Sequence, residues 1–137
     1  MDFRKAFDTV EHCAIWGALE ELKVDKRYVD VLRTLYRGQH GQVVADKSSK
    51  KSSIERGTKQ GDPISPALFD AVIEVVMRRL KTKWAKQGYG VRVLPSGEGK
   101  FLQNLRFADD LLLIGRSLTQ VRQMLEDLAE GAGEVGL

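Results

Sequence analysis

The stretch N-L-R-F-A-D-D-L-L-L-I-G, residues 104–115, sets two adjacent aspartates, Asp109 and Asp110, between two apolar runs. Carboxylates repel one another and lose free energy on leaving water. A doublet flanked by strand-like residues therefore needs a reason to exist. The flanks read as strands, F-L-Q-N-L-R-F (101–107) before the doublet and a buried L-L-L-I-G (111–115) after it, so the doublet falls at the tip of a hairpin. A hairpin tip presents its side chains at the edge of a sheet, half out of the core, where a carboxylate pair can meet a cation. Convergence on Mg2+ replaces mutual repulsion with attraction to the metal. Neighbouring side chains point to opposite faces of a strand, so one of the two meets the metal more squarely, and a third carboxylate from elsewhere would complete the set. Asp2, within M-D-F-R-K-A-F-D (1–8), is the candidate, at what reads as the end of a strand. Spacing does not bring Asp2 and Asp109 together; only the fold can. Taken alone, A-D-D is most simply a solvated turn.

Outward from the doublet the chain alternates helices and short strands. D-T-V-E-H-C-A-I-W-G-A-L-E-E-L (8–22) reads as a helix with Ile15, Leu19 and Leu22 on one face and capping-box spacing from Asp8 to Glu11. A second helix follows, capped by Asp25, striped by Val29, Leu32, Leu35 and Tyr36, and stopped at Gly38. G-Q-V-V-A-D (41–46) and S-S-I-E-R-G (52–57) predict a hairpin around the basic run D-K-S-S-K-K-S-S (46–53), which reads as a solvated loop tip. The clearest helix opens at Ser65 as cap with Pro66 in the first helical position, and Leu68, Val72, Val75, Val76 and Leu80 follow one face. Arg78, Arg79, Lys81 and Lys83 crowd its C-terminal part, which suits the helix dipole, and Gly88 and Gly90 break it. V-R-V-L (91–94) pairs across P-S-G-E-G-K (95–100) with the strand from Phe101. Ser117 and Gln120 form a capping box for a last helix through Val121, Leu125 and Leu128. Q-G-D-P-I-S-P (60–66) reads as a loop entering a helix, with Gly61 permitting close backbone approach and Gln60 offering donor and acceptor. The expectation is a single α+β domain.

The chain is 137 residues long, carries a net charge of +3 and has 42% hydrophobic residues, which excludes a disordered or fibrous chain. The mild basic bias permits a nucleic-acid partner without showing one. No apolar run reaches the roughly 18 residues a bilayer span needs, so no membrane partner is expected. Cys13 is the single cysteine, which rules out an internal disulfide framework and suits a reducing compartment. His12, His40 and Cys13 form no metal-ligand pattern, and His12 reads as a structural or exposed residue of the first helix.

Three segments in this order, D-F-R-K-A-F-D-T-V-E-H (2–12), R-G-T-K-Q-G-D-P-I-S-P-A-L-F (56–69) and L-R-F-A-D-D-L-L-L-I-G (105–115), resemble the first three palm motifs of reverse transcriptases. Their wording is most similar to the non-LTR (LINE-type) retrotransposon enzymes, and the resemblance runs from residue 2 to about residue 137. It implies a polymerase palm-like fold, with an antiparallel sheet and a catalytic hairpin packed against helices. It also implies RNA-directed DNA polymerase activity with Mg2+, or Mn2+ in its place, on dNTPs, a DNA primer and an RNA template. Asp2, Asp109 and Asp110 match the catalytic, metal-binding aspartates, with Asp110 the less direct ligand. Phe3, Phe7, Gln60 and Gly61 match the nucleotide-binding residues, Phe7 as the aromatic that closes off the space for a ribose 2′-OH. Arg56 and Ala108 match positions near the template and primer.

The family's fingers precede the first aspartate, its thumb follows, and G-E-V-G-L (133–137) resembles the start of the next motif. The expectation is therefore a partial palm, residues 1–137, that relies on fingers and thumb segments of a parent polyprotein and is inactive by itself. A non-catalytic nucleic-acid-binding remnant and a group II intron-type reverse transcriptase are the alternative readings. The family implies an intracellular site of action, nuclear for a eukaryotic element.

Overall fold

Helix α4 (Ser65–Lys86) organises the chain. The predicted face of Leu68, Val72, Val75, Val76 and Leu80 is buried, but so are Phe69, Ile73, Met77 and Trp84. A helix apolar on more than one side must be covered on more than one side, and the computed structural model, which describes residues 6–41, 52–59, 61–93, 101–107 and 110–137, shows how. Chain order is α1 (Ala6–Thr9), α2 (His12–Glu21), α3 (Lys26–Tyr36), β1 (His40–Gly41), β2 (Ser52–Ser53), α4, β3 (Val91–Arg92), β4 (Phe101–Leu102), β5 (Asn104–Phe107), β6 (Asp110–Leu113) and α5 (Leu118–Gly133). On one side of α4, Leu68, Ala71, Val72 and Val75 pack with Val10, Ile15, Ala18 and Leu19 and with Val29 and Tyr36 of α3. On the other, Phe69, Ile73, Met77, Leu80 and Trp84 pack with Leu111 of β6 and Met124 and Leu128 of α5. Each such large side chain, fully buried, contributes about 1.5–3 kcal/mol, so α4 is the wall between two cores.

The predicted helices are present, with corrections. The first is two pieces, not one. The chain leaves the helical path at Val10, whose carbonyl accepts from Gly57 N at 2.8 Å, and Glu11 N donates to Val135 O at 3.0 Å. No Asp8–Glu11 capping box forms, and Glu11 caps α2 without a side-chain hydrogen bond. Ser65 is likewise not the cap of α4. It lies inside the helix, its hydroxyl donating to Lys59 O at 2.7 Å, while Asp62 Oδ1 accepts from Ile64 N at 3.1 Å. Pro66 accordingly falls at the second helical residue. The apolar stripes also overreach, since Leu35 and Leu125 are exposed. Asp25, accepting from Arg27 N, and Ser117, accepting from Gln120 N, cap α3 and α5 as the sequence predicts, although the Gln120 side chain accepts from Arg116 N at 3.0 Å and not from Ser117 N.

Among the described residues the strands form three antiparallel pairs, β1 with β2, β3 with β4 and β5 with β6. The predicted strand 101–107 is divided at Gln103. Its carbonyl accepts from Ile114 N at 2.8 Å, its side chain is buried and donates to Tyr89 O at 3.3 Å, and pairing passes there from β3 to β6. Strand β6 is not buried throughout. Leu111 is 3% exposed and Leu112 58%, the alternation of a sheet covered on one face only.

Beside the Arg79–Glu21 pair to α2, at 2.6 Å, two ion-paired networks fasten α4 among the described residues. Asp127 of α5 is 4% exposed and accepts from Trp84 Nε1 at 2.8 Å, Lys83 Nζ at 2.9 Å and Gln123 Nε2 at 3.3 Å. Burial alone would raise the Asp127 carboxyl, but the bonds from Lys83, Trp84 and Gln123 outweigh it and hold it below the ordinary value of 3.8. Its hydrogen bond in turn raises Lys83. Glu74 forms the second network, with Arg78 and Arg106.

Candidate active site

Strands β5 and β6 form the predicted hairpin, in the register Asn104↔Leu113, Leu105↔Leu112, Arg106↔Leu111 and Phe107↔Asp110. Cross-strand partners share a face. Arg106, Leu111 and Leu113 therefore lie on the face turned toward α4, where Leu111 and Leu113 join the core. Leu105, Phe107, Asp110 and Leu112 share the other face, and all four are exposed. Asp110 opens β6 at the last rung before the tip. A carboxylate there keeps its water and leaves its oxygens available to a cation. Asp109 and Ala108, the tip residues between Phe107 and Asp110, lie outside the described residues, as do Asp2, Phe3 and Gln60.

A second feature is built from residues far apart in the chain. Thr58 N donates to Phe7 O at 2.6 Å, and Thr58 Oγ1 donates to the same carbonyl, 51 residues away in sequence, at 3.3 Å. That clamp depends on Gly57. Its φ is +82°, and a Cβ there would stand 2.8 Å from Asp8 O, so a side chain is excluded twice over. Beyond the clamp the chain turns through Gly61, at φ +79°, into α4. The result is a cavity of about 380 Å3 lined by Phe7, Thr58, Lys59, Gly61, Pro63 and Pro66, among others. The structure thus brings Phe7 and Gly61, assigned from different segments of sequence, to one pocket.

Pocket and hairpin share a foundation. The Phe7 ring lies 4.9 Å from that of Phe69, tilted by 43°, and Phe69 packs in the same apolar cluster as Leu111, the neighbour of Asp110. Arg56 stands beside the pocket segment, bridged to Glu11 backbone to backbone and paired with the Glu11 carboxylate at 3.0 Å. Its guanidinium is largely exposed. His12 is structural: its Nε2 lies 2.9 Å from Gly57 O, and its ring meets Tyr36 edge-on at 5.1 Å. Among the described residues no group of His, Cys, Asp and Glu gathers that could hold a metal. The donor set assigned from sequence, three carboxylates, is nonetheless the hard-oxygen chemistry that Mg2+ takes.

A model of the reverse transcriptase (RNA-dependent DNA polymerase) family matches residues 1–137, the whole chain. The chain belongs to the reverse transcriptase family. Its similarity extends to named polyproteins. It is 36% identical over 115 residues, 83% of its own length and 18% of the relative's, to a retrovirus-related Pol polyprotein from the type-1 retrotransposable element R2 of Popillia japonica. It is 32% identical over 138 residues to the corresponding R2 polyprotein of Nasonia vitripennis, covering all of this chain and 13% of that one. To the Pol polyprotein from the type-2 retrotransposable element R2DM of Drosophila melanogaster it is 31% identical over 139 residues, covering all of this chain and 12% of that one. This reverse transcriptase chain spans 12 to 18% of the length of these relatives. Among its described residues no helix is long and apolar enough to cross a membrane.

Sequence reasoning did not reach several residues of the reverse transcriptase chain that shape these features. Thr58, Lys59 and Pro63 line the pocket, yet only the quoted segment 56–69 hints at them. Glu74 and Arg106 join helix to hairpin across 32 residues of sequence, and Asp127 looks like one more polar residue of α5. No local signal marks an ion pair whose partner is set by tertiary packing.

Proposed function

We propose that this chain is the palm of an RNA-directed DNA polymerase from a non-LTR retrotransposon, which adds dNTPs to a primer 3′-OH on an RNA template. The observation that carries the reading is the shared foundation of the Phe7–Gly61 pocket and the Asp110-bearing hairpin on one apolar cluster. Nucleotide selection and phosphoryl transfer need such rigid mutual placement. The family match over residues 1–137 and the likeness to R2 polyproteins support the chemistry and the kind of element.

Asp2, Asp109 and Asp110 would hold Mg2+, or Mn2+ in its place. When bound, the metal lowers the pKa of an attacking hydroxyl and neutralises triphosphate charge, as in two-metal polymerases generally. The chain's own residues do the rest. Phe7, braced by Phe69, walls the pocket against a ribose 2′-OH, and Phe3, four residues earlier in sequence, would join it at the nucleotide. Gly61 admits the nucleotide close to the backbone, and Gln60 supplies a donor and an acceptor. Arg56 and Ala108 would contact the template and primer. The open face of the hairpin leaves Asp110 accessible from solvent. Action in the nucleus on chromosomal DNA belongs to the same proposal for a eukaryotic element.

Polymerisation by this reading needs the longer polyprotein, so the isolated chain should not incorporate dNTPs on primed RNA. The test replaces the matching segment of the Popillia japonica R2 polyprotein with this chain and measures primer extension with Mg2+. The chimera should extend the primer, Asp109→Ala should abolish extension, and Phe7→Ala should admit ribonucleotides. Extension that survives Asp109→Ala, or a soluble, template-binding chimera that never extends, contradicts the proposal.

A further inference from the structure

The two strands of the hairpin are held by different means. Strand β6 plugs Leu111 into the core and rests Leu113 against it. Strand β5 has no such anchor, for Leu105 is exposed and Phe107 is 84% exposed. Between β5 and α4 lies a cavity of about 490 Å3, lined by Asp70, Ile73, Glu74, Asn104, Leu105 and Arg106. One strut crosses it. Arg106 Nη2 donates to Glu74 Oε2, and the other oxygen of that carboxylate, Oε1, accepts from Arg78 Nε at 2.8 Å.

We propose that Glu74 is a positioning residue for the reaction, acting through Arg106 to fix the hairpin that carries Asp109 and Asp110. The proposal rests on the reading of that tip as the metal-binding site.

Three observations converge on the strut. It is placed for leverage: Arg106 sits opposite Leu111, one rung before the Phe107↔Asp110 pair, so apolar plug and ionic strut pin the same face at adjacent strands. Without the strut the hairpin is free to rock about Leu111 into that cavity. The strut is also charged at neutral pH. Burial works to raise the Glu74 carboxyl, but hydrogen bonds from Arg106 and Arg78 prevail and hold it below the ordinary 4.5. Finally, it is directional. Glu74 engages both arginines at once, so Arg78, one helical turn along α4, fixes the carboxylate plane that Arg106 must meet. Both Glu74 and Arg106 side chains are 27% exposed, too wet for the pair to be a main source of fold stability. Geometry at the tip is what the pair adds.

The experiment is a Mn2+ titration of the 137-residue chain by water-proton relaxation, with helix content followed by circular dichroism. The variants are Glu74→Gln, Arg106→Gln, the double variant and Asp109→Asn. Glu74→Gln should weaken Mn2+ binding about tenfold, the lower end of the effect of outer partners on a metal site, with helix content unchanged. Arg106→Gln should do the same, and the double variant should be no worse than either single one, because both remove one strut. Wild-type Mn2+ affinity in Glu74→Gln, with binding lost in Asp109→Asn, overturns the positioning role and leaves the metal site standing. Undiminished binding in Asp109→Asn overturns the metal site and the positioning role with it. Should Glu74→Gln lose its helices, Arg106→Gln carries the test, since Arg106 lies on a surface strand, and wild-type affinity there is equally fatal.

Discussion

Asp127 and Asp110 are the same residue type in opposite circumstances. Asp127 lies in the seam between α4 and α5, 4% exposed and bonded to Lys83, Trp84 and Gln123. Asp110 stands at the rim of the β5–β6 hairpin, exposed on the face away from α4. A buried carboxylate persists only when every oxygen is engaged, so Asp127 is committed to the fold. An exposed carboxylate on the outer face of the sheet stays hydrated and accessible to a ligand. The seam commits its carboxylate to the fold, whereas Asp110 stands exposed to solvent.

The largest effect should come from the covered face of the hairpin. Leu111→Ala removes a fully buried plug and should lower stability by about 3 kcal/mol, whereas Leu112→Ala, one residue along on the open face, should change it by less than about 0.5 kcal/mol. Urea unfolding of the two variants checks the contrast, and equal losses would refute the one-sided burial of β6.

Next in size is the seam. Asp127→Ala leaves the Trp84 indole N–H buried without an acceptor and Lys83 without its partner. The expected loss is about 2 kcal/mol, discounted because the Lys83 ammonium is half exposed. A variant as stable as the parent would mean that the seam is not held as described.

The pH dependence is smaller and has a definite sign. The folded-state value of Asp127 lies below the ordinary 3.8, so the unfolded chain takes up this proton first as pH falls. The stability from Asp127 is therefore complete above the ordinary carboxylate range and is lost as pH drops through the lower folded-state value. Glu74, held below 4.5, acts in the same direction. Urea midpoints of the parent and Asp127→Asn should converge as pH is lowered from 7 toward 3. A gap that widens in acid would reverse the assignment.

Much of this arrangement is legible in the sequence where the cause is local. Asp25 and Ser117 announce their helices because a side chain bonds to a backbone two or three residues away, and the apolar periodicity of α4 reports its burial. The apolar runs on either side of A-D-D are close neighbours in sequence, and they pair as β5 and β6. The failures occur where distant chain intrudes. The helix predicted through Val10 breaks because Gly57 and Val135 take the backbone groups there, and Ser65 is drawn from capping to Lys59. The burial expected along L-L-L-I-G holds on one face only, because α4 covers one side of the pair. Phe7 and Gly61, singled out from the motifs they resemble, line one pocket, while the links of Glu74 to Arg106 and of Asp127 to Lys83 span 32 and 44 residues and leave no local signal.

The central claim is that the doublet at the hairpin tip exists for a metal and not for the fold. Unfolding of the parent and Asp109→Asn by urea, each in EDTA and in Mg2+, tests it directly. The account predicts that in EDTA the variant is as stable as the parent or more so, since like-charge repulsion is relieved, and that Mg2+ raises the midpoint of the parent alone. A clear loss of stability in EDTA, or an equal response to Mg2+ in both proteins, would contradict it.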